Sequence, residues 1–247
     1  MSTLRTNLVS WWSMNELSGT RVDSHGTVNL TDNNTVGNAA GKQGNGADFE
    51  STFSEFLNAN NSVSTPVFTT GDYTLSMWYK PESLSSTQVL FCINGSGETE
   101  AANSQIIFRV NSNGSLNMFH EYGAGNNSNN TTSATPISST GTWYHIILQR
   151  DISNGRYAVY VDNTFIEFQS FSDDPTGGTA GNISIGSYQT GGGDYVDGII
   201  DEVGFWHTLL DSSQRSELYN SGNGITYADT APAGVEAVFI PKVSFIG

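Results

Sequence analysis

Short runs in which apolar and polar residues alternate recur along the chain. They include Tyr73 to Lys80 (YTLSMWYK), Ser104 to Val110 (SQIIFRV), Ser115 to Tyr122 (SLNMFHEY), Trp143 to Arg150 (WYHIILQR) and Arg156 to Asp162 (RYAVYVD). A period of two marks strands with one face on a core. Turn residues separate the runs. Asn113-Gly114 and Asn154-Gly155 are hairpin signals, and VDNTF predicts a tight hairpin through Asp162-Asn163, because these residues accept positive φ. One helix is predicted after Leu210: Asp211 or Ser212 caps it, Gln214 or Glu217 supports the first turns, Leu218 and Tyr219 anchor it, and Gly222 ends it. The pattern predicts an all-β chain, an antiparallel β-sandwich with one short C-terminal helix.

Long glycine- and asparagine-rich loops lie at 94–104, 123–136, 172–182 and 187–198. Loops longer than a turn requires often carry function. The sequence is divided here into a domain at 1–226 and a linker with an apolar tail at 227–247. The tail ends AVFIPKVSFIG and reads as a strand able to dock on the domain or on a partner.

Charge narrows the partners. Lys and Arg number 9 against 24 Asp and Glu, a net charge of −15, so the chain lacks the basic patch a nucleic-acid binder needs. Anionic membranes are disfavoured for the same reason, and no run approaches the ~20 apolar residues of a membrane span. The start of the chain shows no apolar leader, so an ordinary secretory route is not expected. The single cysteine, Cys92, lies in an apolar run without a neighbouring cation and reads as a buried thiol. Trp12, Trp78 and Trp143 read as core, and Trp206 as packed under the helix. No pair of histidines has zinc-ligand spacing.

Ordered landmarks extend over about Leu8 to Gly222. They are LVSWWSMNELSGTRVDSHG, GKQGNGADFESTFSEFLNA, DYTLSMWYKP, GTWYHIILQRDISNGRYAVYVDNTF, NISIGS and GIIDEVGFWHTLLDSSQRSELYNSG. In this order they resemble a laminin-G-like domain of the concanavalin A-like jelly-roll superfamily. The nearest variety is the pentraxin-related one of bacterial and phage surface proteins. A departure is VDNTF, where that family favours Asp-Gly.

The resemblance implies a sandwich that binds carbohydrate. It also implies a structural Ca²⁺ tying the opening segment to the Ile-Asp-Glu strand, held by Asp23, the His25 carbonyl and Asp201, with Asn15 or Glu16 adding an oxygen. The alternative is that Asp23 caps a turn through backbone N–H groups and Asp201 pairs with an arginine such as Arg21. Sandwich glycosidases of this superfamily carry carboxylates as Glu-x-Asp-x-x-Glu on one strand face. Here Asp201 and Glu202 are adjacent, which in a regular strand sends them to opposite faces, and 199 and 203 are Ile and Val. A non-enzymatic protein is therefore expected.

The ligand-binding candidates lie on loops. Tyr122, Tyr188 and Tyr195 offer faces for a sugar ring, Asn126 and its neighbours offer amides, and Asp194 and Glu98 offer carboxylates, with Asp197 and Glu100 nearby as a second calcium site. Three readings follow. The first is a calcium-supported glycan-binding or adhesion module on a phage virion, as a decoration or tail-fibre protein. The second is a purely structural virion or assembly protein, its tail engaging virion proteins or further copies in a homo-oligomer. The third is a glycoside hydrolase, disfavoured on the carboxylate pattern.

Overall fold

The computed structural model describes residues 2–60, 71–93, 106–121, 127–171, 181–188 and 191–231. They form two antiparallel sheets. The first holds β1 (Leu8–Trp12), β3 (Gly37–Ala40), β4 (Asn45–Phe49), β6 (Tyr73–Pro81), β11 (Tyr144–Asp151), β12 (Arg156–Val161), β13 (Thr164–Ser170) and β15 (Gly198–Trp206). Its order is β13-β12-β11-β6-β15-β4-β3, and β1 joins the far half of β15. The second sheet holds β2 (Thr31–Asn33), β5 (Phe56–Ala59), β7 (Gln88–Ile93), β8 (Ile106–Val110), β9 (Leu116–Glu121), β10 (Asn127–Thr131) and β14 (Ile183–Ile185), in the order β10-β9-β8-β7-β14-β5-β2. One short helix, α1, spans Ser212–Tyr219.

Each local feature follows from its residues. Asp162 and Asn163 take φ values of 50° and 59° and join β12 to β13, with Val161 opposite Thr164. Two consecutive positive φ angles twist a two-residue turn to match the strands, and both residues tolerate them. Asp211 caps α1 by accepting the Gln214 N–H, while the Gln214 side chain returns to the Asp211 N–H. The helix ends earlier than the glycine at 222 suggests: Asn220 adopts the left-handed conformation (φ 47°), and its N–H bonds back to the Ser216 carbonyl.

The main core lies between the sheets. Trp12, Phe49, Tyr73, Leu75, Phe91, Phe108, Leu148, Ile200, Val203 and Phe205 are all buried there. A second apolar cluster covers the outer face of the first sheet, where Leu4, Trp11, Ile147, Trp206, Leu210, Leu218 and Ile225 meet under α1. Trp206 thus packs beneath the helix, and its indole N–H reaches the Leu4 carbonyl at 2.6 Å. Trp78 is buried, its ring packed with those of His145 and Tyr219, and Cys92 is buried. Trp143 departs from the core expectation. It precedes β11, stays half-buried, and has the Lys80 ammonium 5.4 Å from its ring centre.

The packed body continues past residue 226. Arg5 donates to the Tyr227 carbonyl and the Thr230 hydroxyl (3.2 and 3.0 Å), and the Tyr227 hydroxyl meets His25 Nδ1 at 3.1 Å. The apolar tail from 232 onward lies outside the described residues.

Candidate functional site

The carboxylates of β15 sit in a bulge. Asp201 pairs with Trp78 and Gly204 with Ser76, so β15 carries one residue more than β6 between the two pairs. Glu202 takes φ 47°, which lets the extra residue fit. Ile200 and Val203 on either side both point into the core. Asp201 and Glu202 therefore leave the core together on the outer face, where a regular strand would have sent them opposite ways.

Both are sealed there. Asp201 is fully buried, and its carboxylate accepts backbone N–H groups from Lys42 (2.7 Å), Gln43 (2.9 Å) and Glu202 (2.8 Å). Glu202 is 3% exposed and accepts the Trp11 indole N–H, while its Oε1 has no hydrogen-bond partner. Burial pushes the Asp201 carboxyl up to about 7, against the pull of its three N–H donors. Burial, and then the charge of Asp201, push Glu202 up to about 9. Three donors favour the charged form on Asp201, and one indole donor gives Glu202 much less, so at neutral pH the proton of the pair belongs on Glu202.

Asp23 has an equally closed environment. Its Oδ1 accepts N–H groups from Trp11, His25 and Gly26 (3.0, 3.0 and 2.8 Å), and its Oδ2 accepts that of Val28 (3.0 Å). It ties β1 to the following turn through the backbone. Of the other members expected at a calcium site, the Asn15 side-chain oxygen accepts the Asn45 N–H (2.9 Å), and Glu16 Oε1 accepts the Val22 N–H (2.8 Å) while its Oε2 is buried without a partner. The ligand expected from His25 is its carbonyl; its ring is turned to Tyr227. Donors aimed at a carboxylate present positive charge where a cation would have to sit. Asp23, Glu16, His25 and Asp201 also form no cluster of three donor atoms within 4.8 Å among the described residues. The backbone donors gathered on Asp23 and Asp201 argue against calcium on these two carboxylates. Nor does Asp201 pair with Arg21, whose buried guanidinium donates to the carbonyls of Gly19, Val36 and Gly37.

A different acidic group converges at the rim. Gly198 pairs with both Phe49 of β4 and Pro81 of β6, so the residues flanking these positions meet. Asp48, Glu50 and Glu82 bring carboxylate oxygens within 4.8 Å of one another, the one such group among the described residues. Asp197 lies beside them, its Oδ2 accepting the Ser51 hydroxyl at 3.1 Å. Gly198 permits this convergence, because at φ 147° a Cβ would stand 2.4 Å from the Lys80 carbonyl oxygen. Burial raises the Asp48 carboxyl, with Lys80 opposing and Asp197 reinforcing. Burial also raises Glu82, and the charges of Asp48 and Glu50 add to the effect. Asp48 Oδ1 is buried without a partner. These are oxygen donors of the kind a hard divalent cation takes. The sequence reading had Asp197 in view but missed Asp48, Glu50 and Glu82, which only the pairing of β15 with its two neighbours brings together.

The adjoining loop holds three of the expected ligand-binding residues. Asp194 is exposed at φ 48°, and its carbonyl accepts the Val89 N–H at 2.8 Å. The Tyr195 hydroxyl donates to the Gly191 carbonyl at 2.6 Å, which fixes its ring at the loop edge. Tyr188 packs against Val89, Cys92 and Ile107 on the outer face of the second sheet. Tyr122, Asn126, Glu98 and Glu100 lie outside the described residues.

Residues 57–214 match the family described as the concanavalin A-like lectin/glucanases superfamily. Among solved structures, domain 4 of AbnA, a GH43 extracellular arabinanase from Geobacillus stearothermophilus in complex with arabinotriose, is similar at 22% identity and a TM-score of 0.65. The match covers 89% of this chain and 98% of that one. The binding domain of Paraclostridial Mosquitocidal Protein 1 is similar at 16% identity and a TM-score of 0.66, covering 89% of this chain and 53% of that one. Trypanosoma rangeli sialidase in complex with sialic acid is similar at 16% identity and a TM-score of 0.65, but the match spans 34% of the sialidase chain. No curated protein matches the sequence.

Proposed function

Because the chain belongs to the concanavalin A-like lectin/glucanases superfamily, we propose that it is a non-catalytic carbohydrate-binding domain that serves adhesion. The observation that carries this reading is the closure around Asp201 and Glu202. A two-carboxylate hydrolase must present an acid and a base to the sugar. Here the two adjacent carboxylates of β15, the strand expected to carry a catalytic pair, are buried beneath Trp11 and the 41–43 loop, one of them saturated by backbone donors. The likeness to an arabinanase domain in complex with arabinotriose and to a toxin's binding domain supports binding as the role.

The reading places the glycan at the rim, where Asp194, Asp48 and Glu82 offer acceptors to sugar hydroxyls and Tyr195 offers a fixed ring. Calcium enters the proposal at Asp48, Glu50 and Glu82 rather than at Asp23 and Asp201. A cation there would offset the burial that raises Asp48 and Glu82, and the added repulsion of Asp197 on Asp48 and of Asp48 and Glu50 on Glu82. Display on a phage particle or another extracellular surface is the finer part of the proposal. It rests on the resemblance to phage and bacterial surface domains and on the strand-prone run at 237–247, which would engage virion proteins or further copies of the chain. Among the described residues no helix is long and apolar enough to cross a membrane. A structural assembly role without glycan binding is the second reading, favoured by the same apolar run.

The test is a glycan array probed with the purified chain in calcium and in chelator. Binding lost in Asp48→Asn/Glu82→Gln but kept in Asp201→Asn supports the rim. No binding to any glycan, together with loss of an oligomer on deleting 237–247, selects the assembly role.

A further inference from the structure

The outer face of the first sheet carries a second pocket, far across the sheet from the acidic rim. Its floor is set by register. Ala158 on β12 lies opposite Gln149 on β11 and Phe168 on β13, and its same-face neighbours along β12 are Arg156 and Tyr160. One small side chain among four large ones leaves a depression of about 200 Å³, bordered on the far side by Leu209 and Leu210, which lead into α1, and by Arg215 of α1.

The chemistry of the lining is unlike the rest of this acidic chain. The Arg156 guanidinium stands 3.8 Å from the centre of the Phe168 ring, and that of Arg215 stands 4.1 Å from the centre of Tyr160. Stacking on an aromatic holds a guanidinium flat and leaves its edge free to donate. Arg156 has one carboxylate neighbour, Asp151 at 3.3 Å, which Ser153 and Asn154 also bind. Arg215 donates to the Leu210 carbonyl and to Gln149 Oε1 (2.5 and 3.3 Å), and no carboxylate lies within 4.0 Å of it among the described residues. Its Nε is buried without a partner. The pocket therefore holds two cations against one carboxylate, on a chain of net charge −15. Phe168 is 44% exposed beside it; Arg156 stacks on its ring and Phe165 packs 4.5 Å away, so its exposed part is the ring edge.

We propose that this pocket binds a single carboxylated sugar residue of the uronic-acid type. The sugar's carboxylate would lie between Arg156 and Arg215, with C–H groups of its ring against the exposed edge of Phe168. Guanidinium groups suit a planar carboxylate, and an aromatic edge gives apolar contact to the C–H groups of a pyranose. The volume is below the roughly 300–1,000 Å³ of pockets for drug-sized ligands, which limits the occupant to one monosaccharide unit. The choice of a sugar rests on the carbohydrate-binding reading above. The site is independent of the rim, since the two share no residue.

The test is calorimetric or NMR titration of the full chain with sodium glucuronate, glucose and acetate. Glucuronate is expected to bind at least ~10-fold more tightly than either of the others. Arg215→Gln should weaken it ~10-fold or more, and Ala158→Leu, which fills the depression without altering charge, should abolish it. Rim variants Asp48→Asn/Glu82→Gln should leave it unchanged. Retained folding is checked by thermal melting of each variant. Equal binding of glucose, equal binding of acetate, or glucuronate binding that survives Ala158→Leu overturns the proposal. If glucuronate fails to bind while array glycans still do, this inference falls and the carbohydrate-binding reading stands. If no glycan binds anywhere, both fall.

Discussion

Glu202 gives the structure its most quantitative consequence. Its carboxyl is 3% exposed, sits in a bulge at positive φ, and is pushed up to about 9 by burial and by Asp201. In the unfolded chain the same group titrates near 4.5. Between those values the folded protein holds a proton that the unfolded chain has released. Stability therefore falls as pH rises, by about 1.4 kcal/mol per pH unit at full effect. From pH 6 to pH 8 this one group removes up to about 3 kcal/mol, a large share of the ~5–15 kcal/mol typical of a domain. Glu202→Gln keeps the shape and an acceptor for Trp11 but has no proton to lose. Urea denaturation of wild type and variant at half-unit steps from pH 5.5 to 8.5 reads the difference directly. Asp48 and Glu82 contribute slopes of the same sign to both proteins and cancel, so the subtraction reads the coupled Asp201–Glu202 pair against Asp201 alone. The variant should gain on wild type by about 1.4 kcal/mol per unit and be the more stable protein at pH 8. Parallel curves would mean that Glu202 is already ionised in the fold, and the reasoning about its closure would be refuted.

Three further outcomes follow from the same physical terms. His145 is buried against Trp78 and Tyr219, and burial, with Lys42 assisting, pushes it down to about 3. The fold keeps it neutral, so stability should be lost as pH falls from 6.5 towards 3, and His145→Gln should flatten that acid limb in the same titration; an unchanged limb would contradict its neutral burial. Asp23→Ala strips the acceptor from four backbone N–H groups, three of them on Oδ1. At about 1–3 kcal/mol for each buried donor left unpaired, with partial relaxation, chemical denaturation should show a loss of about 3 kcal/mol or more. Calcium should raise the melting temperature of wild type and of Asp23→Asn relative to its own chelated form, and should do nothing for Asp48→Asn/Glu82→Gln; a calcium effect lost only with Asp23 would return the ion to the opening turn.

Much of the fold could be read from the chain because its signals are local. Alternation marked β6, β11 and β12, Asp162-Asn163 carried the hairpin, and Asp211 with Gln214 carried the helix start. The site was less legible. Ile200-Asp-Glu-Val203 reads as ordinary alternation, and no residue in it announces a bulge; the positive φ at Glu202 is imposed by pairing with β6 on one side and β1 on the other. Asp23 could be picked out as important, but whether it would serve a cation or backbone donors depended on the turn that wraps it. Asp48 and Glu50 lie at the end of β4 and Glu82 just past β6, and they become a group only through Gly198, which pairs with both strands. The pocket at Ala158 is likewise a product of register, since an alanine in a strand carries no signal until its four neighbours are known.

The central claim is that this sandwich binds carbohydrate without cleaving it. The most direct measurement is a glycan array followed by chromatography of each bound glycan after prolonged incubation with the protein. The account predicts retention of one or more glycans, recovered intact. Release of shorter sugars, abolished by Asp201→Asn or Glu202→Gln, would contradict it.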